Sequence, residues 1–195
     1  MRVLVAEDDP LIAMGLVERL RTLGHEPLGP AADGEQAIAI ARESEPDLYL
    51  FDIEMPNRDG LEAASQLAAD GLRRPVVVVT GVDDPSLVER SIASGVSAYL
   101  TKPVDSRELG AAIELAAARH DEFQALEAEV ERAQQALEDR KVVERAKGLL
   151  MSALKLSEQD AFRRLQLTAR ERNLRLADVA ARIVEQQSVL EPRRR

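Results

Sequence analysis

Leu48-Tyr49-Leu50-Phe51-Asp52 sets four apolar residues in a row and closes them with a single acid. A run that is apolar at successive positions, without alternation, is a strand covered on both faces, as in the centre of a parallel sheet. Val76-Val77-Val78-Val79, closed by Thr80, is a second such run. Outward from these two, shorter β-rich runs occur at Val3 to Ala6, Glu26 to Gly29 and Ala98 to Thr101, with stretches of helical period between them. Five strands alternating with helices predict an α/β fold built on a doubly wound parallel sheet. Pro27 and Pro30 bracket the second run, and proline cannot donate to a ladder, so that strand belongs at an edge, as the order 2-1-3-4-5 places it. Asp9-Pro10, Asp33, Asp84-Pro85 and Asp105 read as helix starts. Each follows the C-terminal end of a strand, where open α/β sheets carry their ligand sites.

At those ends the chain is acidic. Glu7, Asp8 and Asp9 close the first strand, Asp52 the third and Thr80 the fourth, while Lys102-Pro103 follows the fifth. Carboxylates clustered beside one lysine repel one another unless a cation bridges them, and Mg²⁺ is a suitable hard divalent ion. Asp52 is then placed to attack phosphorus as a nucleophile and form an acyl phosphate. The Thr80 hydroxyl and the Lys102 ammonium would neutralise charge on the phosphoryl oxygens. Enzymes that build an aspartyl phosphate typically add a second acid two residues on, as general acid/base. Glu54 stands there instead of aspartate and no lid domain is inserted, so the chain is not expected to be an enzyme.

Composition narrows the setting. The 195 residues contain no cysteine, which removes disulfides, thiolate metal sites and cysteine nucleophiles and suits a reducing cytoplasm. No apolar run approaches a membrane span and none precedes the first strand, so a cytoplasmic protein without membrane association is expected. The net charge of −9 is unevenly spread: residues 1–139 hold 12 Lys+Arg and 28 Asp+Glu, a net −16, and residues 140–195 hold 14 and 7, a net +7. An acidic body with a basic tail points to an anionic partner for the tail, with nucleic acid foremost.

Three stretches of the first part resemble the receiver domain of two-component response regulators: Val3-Leu4-Val5-Ala6-Glu7-Asp8-Asp9-Pro10, Pro46-Asp47-Leu48-Tyr49-Leu50-Phe51-Asp52-Ile53-Glu54-Met55-Pro56-Asn57-Arg58-Asp59-Gly60, and Tyr99-Leu100-Thr101-Lys102-Pro103. The resemblance covers about the first 118 residues and implies a flavodoxin-like fold. It implies that Asp52 is the phosphoacceptor, that Asp8 and Asp52 ligate Mg²⁺ directly, Glu7 through a water and Glu54 by its backbone carbonyl. Thr80 and Lys102 would sense the phosphoryl group, Tyr99 would be the switch aromatic, and a sensor histidine kinase would be the partner. The chain departs from the usual pattern at Glu7, where aspartate is commoner, at Gly81, where alanine is, and in the two prolines around the second strand.

The remaining third reads as helical throughout. Leu109, Ala112, Ala116, Phe123, Leu126, Val130, Ala133 and Leu137 keep an a/d spacing broken once at Arg119, so the last receiver helix is expected to run on into a coiled coil. Glu127, Glu129, Glu131, Glu138 and Asp139 would solvate its outer face. His120 is expected to be an exposed helix histidine and His25 a loop residue. From about Arg140 the pattern becomes a small three-helix unit, with Val142, Val143, Ala146, Leu149 and Leu150 on its first helix, Ser157-x-x-Asp160 opening the second in capping-box style and Leu176 the third. Lys141, Arg145, Lys147, Arg163, Arg164, Arg170, Arg172 and Arg175 are its candidate nucleic-acid contacts, expected outward in some combination, with a structural role as the alternative for Lys147. With Phe162 as a core residue, recognition would rest on arginine, backbone and phosphate contacts and not on aromatic platforms.

Arg140-Lys141-Val142-Val143-Glu144-Arg145-Ala146-Lys147-Gly148-Leu149-Leu150-Met151, Ser157-Glu158-Gln159-Asp160-Ala161-Phe162 and Asn173-Leu174-Arg175-Leu176-Ala177-Asp178-Val179-Ala180 resemble the ANTAR domain. That resemblance implies transcription antitermination by binding paired hexanucleotide stem-loops in leader RNA, as a homodimer on activation. Lys155 stands where the family usually ends a helix with glycine. The expected layout is a receiver at 1–118, a coiled-coil linker helix at 119–139, an ANTAR-like output at 140–190 and a basic tail at 191–195. A DNA-binding or protein-binding output is the alternative. Against DNA, no helix-turn-helix spacing with a recognition helix is evident; against a protein partner alone stands the +7 tail. Phosphorylation is expected to shift Thr80 and Tyr99, reshape the face made by the last two receiver helices and bias dimerisation or release of the output.

Overall fold

The computed structural model describes residues 1–81 and 95–190, with backbone alone for 187–190. The chain forms two compact units, Met1–Gln124 and Ala125–Arg195. In the first, β1 (Arg2–Ala6), β2 (Glu26–Ala31), β3 (Leu48–Asp52), β4 (Val76–Thr80) and β5 (Ala98–Thr101) make one sheet in the order β2-β1-β3-β4-β5. All four pairings are parallel. Helices α1 (Pro10–Thr22), α2 (Gly34–Ser44) and α3 (Gly60–Ala69) follow the first three strands, and α4 (Ser106–Leu154) follows the fifth. The helix start expected at Asp84-Pro85 lies outside the described residues.

Carboxylate caps fix where these helices begin. Asp9 accepts from the amides of Leu11 and Ile12 with Pro10 in the first turn, Asp33 from Gln36, and Asp105 from Arg107 and Glu108. Each satisfies backbone donors that a helix leaves unpaired at its start. Asp59 caps α3 in the same way, accepting from Glu62 at 2.7 Å.

Alternation along the strands sorts the core into two layers. Leu4, Ala6, Tyr49, Phe51, Val76 and Val78 pack on one face with Ala37, Ile38 and Ala41 of α2 and Leu61 and Leu67 of α3. Val3, Val5, Leu48, Leu50, Val77 and Val79 pack on the other with Leu16 and Leu20 of α1 and Leu109, Ile113 and Ala116 of α4. Covering both faces is why the central strands are unbroken apolar runs. Edge strand β2 extends to Ala31, two residues past the predicted end at Gly29. The register shifts between Leu4 and Ala6, and Gly29 sits at φ +87. A side chain there would lie 3.0 Å from the Val5 carbonyl oxygen. Glycine thus makes an irregularity that absorbs Pro30, after which Ala31 accepts from the Glu7 amide at 2.9 Å.

The second unit holds the C-terminal part of α4 with α5 (Glu158–Arg172) and α6 (Leu176–Leu190). Its core is Val143, Ala146, Leu165, Ala169, Val179 and Ala180, flanked by half-buried Phe162, Leu174, Ile183 and Val184. Ser157 caps α5, accepting from the Asp160 amide at 3.1 Å, and Asn173 ends it in the left-handed region. Lys155, just beyond α4, also has a positive φ of 54, at the position where glycine would be unstrained. The a/d residues of α4 divide in two. Leu109, Ala112 and Ala116 are buried in the core of the first unit, whereas Phe123, Leu126, Val130 and Leu137 are 48%, 59%, 47% and 54% exposed. Every residue from 121 to 138 is exposed.

Candidate functional site

The ends of four adjacent strands, β1, β3, β4 and β5, meet around Asp52. It closes β3, paired in register with Val79 of β4, and is 6% exposed. Glu7 follows β1 and is 2% exposed, while Asp8 beside it is open to solvent. One carboxylate oxygen from each of Glu7, Asp8 and Asp52 lies within 4.8 Å of the others. Lys102, just past β5, brings its Nζ to 2.7 Å from Asp52 Oδ2 and 2.8 Å from Glu7 Oε1. The Lys102 amide donates to the Thr80 carbonyl oxygen at 2.8 Å, which holds this turn against the end of β4. Thr80 itself is fully buried.

Charge explains the strain on these groups. Burial pushes the Glu7 carboxyl above its ordinary 4.5 and the neighbouring Asp52 charge pushes the same way, with Lys102 pulling back. For Lys102, burial alone would lower the ammonium, but its hydrogen bonds to Asp52 and Glu7 outweigh that and hold it above 10.5. Two carboxylates sharing one ammonium, with Asp8 beside them, leave a net negative pocket of hard oxygen donors, a donor set that suits Mg²⁺. Glu54 contributes no carboxylate to the cluster; its side chain is exposed and its amide donates to Asp52 Oδ1 at 3.3 Å. Tyr99, on β5 in register with Val78, packs against the same core layer as Phe51.

Gly60, quoted in the sequence but given no role there, sets the position of Asp52. A Cβ on Gly60 would lie 1.9 Å from the Asp52 carbonyl oxygen, and the Gly60 amide donates to the Ile53 carbonyl at 3.1 Å. The Asp59-Gly60 pair therefore caps α3 and lets it approach the end of β3 at Asp52. An acid-glycine dipeptide between a strand and a helical period is the signal that could have found it. Gly60→Ala is expected to cost about 1–3 kcal/mol by overpacking and to slow labelling of Asp52 by acetyl phosphate. A urea melt and a phosphorylation time course read the two effects.

In the second unit the structure separates the eight basic candidates. Lys147 takes the structural alternative and does not face outward. It is 7% exposed, and its Nζ contacts Glu158 at 2.6 Å and both Glu144 oxygens at 2.9 and 3.0 Å, 5.8 Å from the Phe162 ring centroid. Glu158 and Glu144 hold the ammonium above 10.5, and Lys147 in turn holds Glu158 below 4.5. Arg175 is exposed but committed. It pairs with Asp178 at 2.7 and 3.1 Å and reaches Asp139 at 3.5 Å, so that Asp178 is held below 3.8. Lys141 pairs with Glu138 one turn away at 2.7 Å. Arg145, Arg163, Arg164, Arg170 and Arg172 are exposed and have no carboxylate partner among the described residues. Of the two histidines, His25 lies in the loop before β2, and His120 is half-buried on α4, bonded to Gln124 at 2.8 Å.

Comparison with known proteins covers both units. The family profile for the response regulator receiver domain matches residues 3–114, and that for the ANTAR domain matches residues 131–184. The chain is 45% identical over 184 residues to the transcriptional regulatory protein PdtaR of Mycobacterium tuberculosis, covering 94% of this chain and 89% of that protein. It is 36% identical over 110 residues to protein PilH of Pseudomonas aeruginosa, covering 55% of this chain and 90% of that one. Among solved structures, the signal receiver domain of NarL from Mycobacterium tuberculosis superposes with a TM-score of 0.57 at 30% identity, over 60% of this chain and 95% of that domain. No helix among the described residues is long and apolar enough to cross a membrane.

Proposed function

We propose, from the premise that this chain belongs to the two-component response regulators that join a receiver domain to an RNA-binding ANTAR antitermination output, that Asp52 is the residue through which phosphorylation controls that output. The observation that carries the reading is the setting of Asp52: a nearly buried carboxylate 2.7 Å from a lysine ammonium, beside two further acids. The reading keeps the division into receiver 1–118, linker helix 119–139, output 140–190 and basic tail 191–195.

The phosphoryl donor is a phosphohistidine of a kinase partner or a small acyl phosphate. A carboxylate oxygen of Asp52 attacks phosphorus, the bond from phosphorus to the donor nitrogen or oxygen breaks with its electron pair leaving on the donor, and an acyl phosphate forms. Asp8 and Asp52, Glu7 through a water, and the Glu54 carbonyl would hold Mg²⁺, which supplies positive charge to the phosphoryl oxygens when bound. Lys102 exchanges its carboxylate partner at Asp52 for a phosphoryl oxygen. Thr80 turns its hydroxyl to another, and Tyr99 follows into the space this opens.

The output acts as a homodimer. The exposed residues Phe123, Leu126, Val130 and Leu137 form an a/d stripe that a second copy would cover, and two outputs match an RNA with paired stem-loops. Mixing the protein with such a leader RNA, with and without acetyl phosphate and Mg²⁺, tests the whole reading. Binding that rises on phosphorylation and is lost with scrambled loops is expected. Binding indifferent to acetyl phosphate would detach the output from Asp52.

A further inference from the structure

The sorting of basic residues in the second unit leaves a surface on α5 whose arginines have no carboxylate partner among the described residues. On α5 the core positions are Ala161, Leu165 and Ala169. By the helical period, Arg163, Leu167 and Arg170 stand on the opposite side at spacings of one and two turns, with Arg164 adjoining them. All four are exposed, Leu167 at 51%, and none of the three arginines has a carboxylate partner among the described residues. Arg172 lies half a turn away on the same helix, and Arg145 belongs to α4. Lys147 and Arg175, by contrast, are held in ion pairs of 2.6–3.0 Å and 2.7–3.5 Å.

We propose that this outer ridge of α5 is where the loops of the RNA dock, with Arg163, Arg164 and Arg170 on phosphates and unstacked bases and Leu167 against a base face. The proposal rests on the RNA-binding reading above and specifies its contact surface. Charge selects the occupant: unneutralised guanidiniums repel one another unless an anion lies between them, and the unit carrying them is the basic part of an acidic chain. Loop RNA adds what a plain duplex lacks, bases whose faces are open to a guanidinium plane or an apolar side chain. Leu167 supplies that apolar surface in a unit whose lone aromatic, Phe162, is half-buried in the core. Lys147 and Arg175 are outside the interface: moving either to a phosphate would first break the contacts that tie α4 to α5 and α6.

The test measures affinity of the full chain, treated with acetyl phosphate and Mg²⁺, for a synthetic RNA of two hexanucleotide-loop hairpins across a salt series, against the same RNA with scrambled loops. Arg163→Ala and Arg170→Ala are each expected to weaken binding about tenfold and to lower the slope of log affinity against log salt by about 0.7 per lost phosphate contact. Leu167→Ala is expected to weaken binding to intact loops about tenfold with the slope unchanged and scrambled RNA little affected. Its thermal midpoint should not fall, because alanine is at least as good a helix former at an exposed site. Lys147→Met should lower the thermal midpoint while keeping the wild-type slope. Wild-type affinity and slope in the three ridge variants, or a lowered slope in Lys147→Met, would overturn the ridge while leaving RNA binding intact. Wild-type protein that binds no RNA would remove the broader reading as well.

Discussion

Asp52→Asn is expected to remove every response to acetyl phosphate: no labelling, no gain in RNA affinity and no change in oligomeric state. An amide oxygen is too weak a nucleophile to form an acyl phosphate, and no neighbouring acid is equivalent. Glu7 is 2% exposed and tied to Lys102, and Asp8 is open to water with no lysine on it. The variant should fold, because one charge is removed from a crowded cluster and Lys102 keeps Glu7 as a partner. Intact-protein mass spectrometry after acetyl phosphate treatment gives the first answer, and RNA affinity the second. A phosphorylated Asp52→Asn protein would move the phosphoacceptor elsewhere and end the assignment.

Val130→Glu combined with Leu137→Glu is expected to leave the chain monomeric under conditions where the phosphorylated wild type dimerises. Both residues are about half exposed on α4 and touch no core, so the fold should be indifferent to them. Across a dimer four side chains are lost from the seam. Burial of each contributes about 1.5–3 kcal/mol, and every 1.4 kcal/mol is roughly tenfold in affinity. Realising even a third of the total would weaken dimerisation by at least about 20-fold. Sedimentation velocity reads this directly. Binding to a paired-hairpin RNA should fall with it, while binding to a single hairpin should not. A variant that sediments as wild type would place the dimer contact elsewhere.

The residues differ in how plainly they announced these roles. The central strands were legible because burial on both faces leaves an unbroken apolar run, as in Val76 to Val79. Asp9, Asp33 and Asp105 were legible because capping is local, fixed by spacing alone. The end of β2 was not, since Pro30 argues for a stop and only the positive φ of Gly29 lets the strand resume at Ala31. The place of Lys147 was hidden for a different reason. Glu144 is one turn away, but Glu158 belongs to the next helix, and only the packing of α5 on α4 brings it to 2.6 Å. In α4 the apolar period continues from Leu109 to Leu137, yet periodicity does not say whether a stripe is covered by its own domain or by another molecule.

The exposed length of α4 has a thermodynamic consequence. Every residue of the helix from 121 to 138 is exposed, so little tertiary packing offsets the entropy of ordering it. Isolated helices of this size are marginal even with good sequences, and most helical stability in proteins comes from packing. The cores at either end of α4 seed the helix, and in the dimer proposed above a second strand of coil would supply the packing its middle lacks. On the dimer proposed above, ordering of the linker and pairing of two chains would form one cooperative equilibrium, which rising concentration and phosphorylation would both favour.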